Sequence, residues 1–121
     1  MIILKTEEEL AIMAKAGSIA GQCLMHLGEM VRPGIRTIDL DMAAEQFIRD
    51  KGAIPTFKGY MGFPGSVCAS KNDVVVHGVP GDTLLEEGDI ISIDVGATFQ
   101  GFVGDTAATF PVGKVSPEAL K

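Results

Sequence analysis

The stretch Ile90-Ile91-Ser92-Ile93-Asp94-Val95-Gly96-Ala97-Thr98-Phe99 decides the fold, together with Gln100-Gly101 and the run Val103 to Val112 behind it. Ile91, Ile93 and Val95 alternate with Ser92, Asp94 and Gly96. That is the period of a strand with one apolar face and one polar face. Gln100-Gly101 between two such runs predicts a hairpin. An apolar sheet face needs a cover, and the upstream sequence supplies one.

Thr6 followed by Glu7, Glu8 and Glu9 has the form of a capping box, with Glu9 three residues after the cap. Acidic residues in a first turn also suit the helix dipole. Leu10, Met13, Ala16, Gly17, Ala20, Cys23, Leu24 and Leu27 recur at helical spacing, which predicts a helix over about 7–30. Pro33-Gly34 ends it in a turn. Thr37 opens a second helix, with Asp39 and Asp41 near its start and Leu40, Ala43, Ala44, Phe47 and Ile48 as its apolar stripe; Gly52 is its stop. Residues 53–64 read as an ordered loop or irregular strand, 66–70 as a short strand, 71–73 as a turn and 74–77 as another strand. Residues 78–88 read as a connection. Ser116-Pro117 starts a helix that the sequence ends almost at once, which predicts a piece of a longer chain. The expected fold is α+β: a single domain over 1–121, with two helices packed on one face of a mostly antiparallel sheet.

The 121 residues, 46% of them hydrophobic, leave room for one domain with a real core and argue against disorder. A net charge of −6 argues against general nucleic-acid binding, which needs a basic surface, and suits a cation site. Cys23 and Cys68 are too few for a disulfide framework and read as reduced thiols. The first residues hold no signal-peptide apolar region, and no apolar run approaches the roughly 20 residues of a membrane span. The expected location is therefore the cytoplasm, with no membrane partner.

Asp94 and Asp105 have position numbers of odd sum, so a hairpin with an even loop puts them on one face. A loop of residues 99–100, or 98–101, would set them directly opposite, with Cβ atoms ~4.5–5.5 Å apart. Carboxylates that close repel unless one is protonated or a cation lies between them. The alternative is that Asp105 is a turn residue and Asp94 is partnered by a hydroxyl; spacing alone leaves both open. His77 ends a Val-Val-Val run, where a lone histidine is more often structural than catalytic. His26 lies within the first helix and is assigned no role. Cys68 reads as a small buried residue.

Four motifs in order, Gly59-Tyr60-Met61-Gly62-Phe63-Pro64-Gly65-Ser66-Val67-Cys68, Asn72-Asp73-Val74-Val75-Val76-His77-Gly78-Val79-Pro80, Gly88-Asp89-Ile90-Ile91-Ser92-Ile93-Asp94-Val95 and Gly101-Phe102-Val103-Gly104-Asp105-Thr106, resemble the type I methionine aminopeptidases of the pita-bread metallopeptidases. The resemblance implies half of a pita-bread fold and removal of N-terminal methionine from peptides. It implies two divalent ions per full site (Co, Mn, Fe, Zn or Ni), with Asp94 a bidentate ligand and Asp105 a bridge. His77 would hydrogen-bond the substrate's peptide group. Phe57, Tyr60, Phe63 and Cys68 would line the methionine pocket, although relatives often carry cysteine and tyrosine where Phe57 and Phe63 stand. Asn72 and Val74 match positions whose carbonyls hold a monovalent cation.

Members of that family are about twice as long, and their second half supplies one histidine and two glutamates to the metals. After Asp105 this sequence offers only Glu118 and no histidine. The expectation is a chain inactive or weakly active alone. Its exposed sheet face would pair with a second copy as a homodimer, or with a separate C-terminal half. A non-catalytic peptide-binding module on the same fold is the alternative; retention of both aspartates argues against it.

Overall fold

In a computed structural model, residues 6–58, 65–71, 80–81 and 83–113 are described. Helix α1 spans Glu7–Met30 and helix α2 spans Thr37–Asp50. Four strands follow: β1 at Ile54–Pro55, β2 at Val67–Lys71, β3 at Ile90–Phe99 and β4 at Phe102–Pro111. The helix expected over 7–30 and the strand expected over 90–99 keep those bounds. The turn and strand expected over 71–77 extend into residues outside the described set, although Lys71 itself ends β2; the helix start at Ser116 lies outside it too.

Local chemistry sets the helix ends. The Thr6 hydroxyl accepts the Glu9 N–H at 3.0 Å, and Glu9 Oε1 accepts the Thr6 N–H at 3.0 Å, which satisfies two N–H groups that a helix start leaves unpaired. Gly34, at φ +93°, takes the turn between the helices, and Gly52, at φ +80°, follows α2. The buried stripe of α1 is Ala16, Ile19, Ala20, Cys23, Leu24 and Leu27. Leu10, expected within that stripe, is 53% exposed, because burial on α1 begins only at Ala16.

The sheet is antiparallel and centred on β3. One edge of β3 pairs with β4 along its whole length; the other pairs with β2 and, further along, with β1. Ile91, Ile93, Val95 and Ala97 are buried against the helices with Leu40, Ala44 and Ile48 of α2. Gly104 lets α1 approach β4: a Cβ there would overlap the backbone of Ala16 and Gly17. By length and composition α1 could cross a membrane, but its apolar stripe belongs to the core shared with β3, the ordinary pattern of a core helix.

Candidate functional site

The β3–β4 hairpin turns on Gln100 and Gly101, both at positive φ (49° and 85°), as a tight two-residue hairpin turn requires. Phe99 pairs with Phe102, so Gly96 pairs with Asp105 and Asp94 with Ala107. Asp94 and Asp105 thus share a face, as their parity requires. They are not directly opposite. The loop falls one residue later than residues 99–100, and the pairing shifts by two. The aspartates are diagonal neighbours, about 7–8 Å apart along the sheet. Both are exposed. Two charges at that spacing in water repel by under about 1 kcal/mol, so their ionisation does not itself demand an ion. The diagonal instead leaves room for one between them.

Two further candidates stand on the same face. Cys68 on β2 pairs with Asp94 and is partly exposed rather than buried. Its thiol is pushed above its ordinary value, first by desolvation and then by the negative charges of Asp94 and Asp105, which places it within the field of both acids. Phe57 covers Gly96. A Cβ built on Gly96 would lie 3.2 Å from the Phe57 ring and 3.1 Å from Thr56 Cβ, so glycine makes the room the aromatic ring fills. Thr56 is fastened to the strand by its N–H to the Gly96 carbonyl at 3.0 Å and by a 2.8 Å hydroxyl contact with Thr98. Tyr60, Phe63, Asn72, Val74 and His77 lie outside the described residues.

Cys23 differs from Cys68. It is fully buried between the helices, burial pushes its thiol up to about 12, and its Sγ lies 3.9 Å from the Ala44 carbonyl. Neither cysteine is in a disulfide. His26, given no role from the sequence, stacks on Phe47 with ring centroids 5.5 Å apart.

Asp94 and Asp105 together are a donor set for a hard or borderline divalent cation. Among the described residues no group of three His, Cys, Asp or Glu side chains stands ready to hold a metal. The pair fits part of a metal cage, and the described residues do not complete it.

The second helix holds a residue whose contact the sequence did not signal. Asp41 lies near the helix start, as expected. It is 5% exposed and its Oδ1 accepts the N–H groups of Ser66 and, at 3.0 Å, Val67. No local spacing signals a contact 25 residues away.

An antiparallel sheet covered by two helices, with paired aspartates on its open face, is the shape of half a metallopeptidase catalytic fold. Residues 11–121 match Metallopeptidase family M24, and the chain belongs to that family. It is 52% identical over its whole length to methionine aminopeptidase 1 of Bacillus subtilis (strain 168) and 54% identical to the methionine aminopeptidase of Clostridium perfringens, covering 49% of each. The crystal structure of the Rickettsia prowazekii methionine aminopeptidase superposes with a TM-score of 0.92 at 39% identity, covering 98% of this chain and 48% of that one. The Pyrococcus furiosus prolidase matches at 0.80 and 26% identity. The chain spans about half the length of the curated relatives it matches, and its fold is half of the pita-bread architecture.

Proposed function

We propose that this chain supplies the aspartate pair and the methionine pocket of a divalent-metal aminopeptidase that removes N-terminal methionine from peptides. The observation that carries the reading is the convergence of Asp94, Asp105, Cys68 and Phe57 on the open face of one sheet, in a chain whose relatives are methionine aminopeptidases. Asp94 and Asp105 hold the cation. Phe57 and Cys68, with Tyr60 and Phe63, take the thioether, which favours an apolar, aromatic-edged surface. His77 hydrogen-bonds the peptide group, and the carbonyls of Asn72 and Val74 hold a monovalent cation. A divalent ion held by Asp94 and Asp105 would supply Lewis acidity at the scissile amide. After Asp105 the residues given hold Glu118 and no histidine, short of the histidine and two glutamates that the resemblance implies, and these residues by themselves are expected to turn over little. The setting is the cytoplasm, where the thiols of Cys23 and Cys68 stay reduced.

The test is calorimetric titration with Mn²⁺ or Co²⁺, followed by an assay of methionine release from Met-Gly-Gly. The expected result is weak ion binding that Asp94→Asn abolishes, with little turnover. Unchanged ion binding in Asp94→Asn would remove the site assignment, and robust turnover by the monomer would remove the half-site reading.

One observation favours a second reading, association of two copies. Among the described residues β4 has no strand on its outer edge, and such an edge pairs readily. A two-fold arrangement is the commonest closed one. It would bring two aspartate pairs together. Light scattering that gives a monomer mass at high concentration would sink it.

A further inference from the structure

Among the described residues the buried polar or charged side chains are Thr37, Asp41 and Ser66, and all three belong to one arrangement. Thr37, Asp41 and Glu45 follow one another at four-residue intervals along α2, hence on one helix face. Thr37 Oγ1 accepts the Gly81 N–H at 2.8 Å and donates to the Gly81 carbonyl at 3.1 Å. Asp41 Oδ1 accepts from both Ser66 and Val67. Glu45 Oε1 accepts Lys58 Nζ at 2.5 Å and the Ser66 hydroxyl at 3.4 Å. Gly65, just before Ser66, is crowded from two sides: a Cβ there would lie 2.9 Å from Pro80 and 3.0 Å from Asp41 Oδ1.

These bonds end one residue short of the pocket. Val67 precedes Cys68, and Lys58 follows Phe57. The buried side chains of β2 are Val67 and Ala69. Apolar packing is non-directional, whereas two amides on one buried oxygen impose a distance and an angle.

We propose that the Thr37–Asp41–Glu45 face of α2 is a positioning device for the pocket: Asp41 sets where β2 begins, and so where Cys68 stands opposite Asp94, while Glu45 holds Phe57 through Lys58. The meaning of that pocket rests on the aminopeptidase reading; the positioning does not. Because both amides use the same Oδ1, the role is that of an acceptor rather than of a charge. Asparagine can fill it and alanine cannot.

The test uses the whole chain. Cys23 is fully buried, so iodoacetamide reports on Cys68. Asp41→Ala should raise the Cys68 alkylation rate several-fold and speed amide exchange at Ser66 and Val67, at a temperature where circular dichroism shows an intact fold. Asp41→Asn should stay within about twofold of the parent chain. Affinity for Met-Gly-Gly in the presence of Mn²⁺ should fall about tenfold or more in Asp41→Ala while affinity for Mn²⁺ is unchanged, a split that general destabilisation does not give. Unchanged alkylation and exchange in Asp41→Ala, or an asparagine variant as loose as the alanine one, overturns the proposal. If the parent chain binds Mn²⁺ but no Met-Gly-Gly, the aminopeptidase reading fails and alkylation with exchange still decides the positioning. If Asp41→Ala does not fold, Thr37→Val is read instead: faster exchange at Gly81 with faster Cys68 alkylation supports the device, and no change in either removes it.

Discussion

Toward the helices, Ile91, Ile93, Val95 and Ala97 of β3 are buried and Gly104 of β4 admits the backbone of α1. One pleat over, Ser92, Asp94, Val103, Asp105 and Ala107 meet solvent. The same two strands thus present a face fitted closely to its cover and a face left open. On the first, shape decides which residue is allowed; on the second, chemistry does. Stability and ion binding should therefore separate cleanly between them.

The largest effects belong to the covered face. Gly104→Val should cost about 3 kcal/mol or prevent folding, since neither the strand nor the helix backbone can yield to a side chain between them. Ile93→Ala should cost about 2–5 kcal/mol in urea denaturation, through lost burial and the cavity left behind. A loss under about 1 kcal/mol for either would mean that the two faces are not so different.

The pins on α2 give an intermediate effect with a sign in pH. Hydrogen bonds from Lys58 and Arg49 hold the Glu45 carboxyl below the usual glutamate range. Its contribution is complete above the ordinary value and is lost as pH falls through the folded one. For exposed pairs of this kind that contribution is about 0.5 kcal/mol each, and Glu45→Gln should flatten that part of the stability profile. Asp41 has the opposite sign: burial raises its carboxyl, more than the two amides and Lys58 lower it. Stability on its account declines as pH rises from its unfolded to its folded value, and Asp41→Asn should remove the decline.

The smallest effect belongs to the open face. Asp105→Asn should leave stability within about 0.5 kcal/mol while weakening Mn²⁺ binding in the same preparation. A large destabilisation there would show that the aspartate is structural.

The covered face was legible in the sequence and the open face only in part. Alternation along β3 and the Thr6–Glu9 box are local signals, and local signals set element type and boundaries. Register is harder, because it depends on which two residues turn. Gln100-Gly101 marked where the chain turns, although Gln100 takes a left-handed conformation that non-glycine residues seldom adopt; the loops counted for the aspartates, 99–100 and 98–101, were centred one residue too early. Parity survived that error; direct opposition of Asp94 and Asp105 did not. Phe57 above Gly96 and Asp41 beneath Ser66 are contacts between residues far apart in sequence, for which periodicity has no signature.

Gly104 and Asp105 are neighbours in sequence and face opposite worlds. In a saturation library, codon 105 should return many folded clones that have lost the ion, and codon 104 should return almost none. On the metal reading proposed above, the acid is the position to vary, provided the residue before it keeps nothing but a hydrogen.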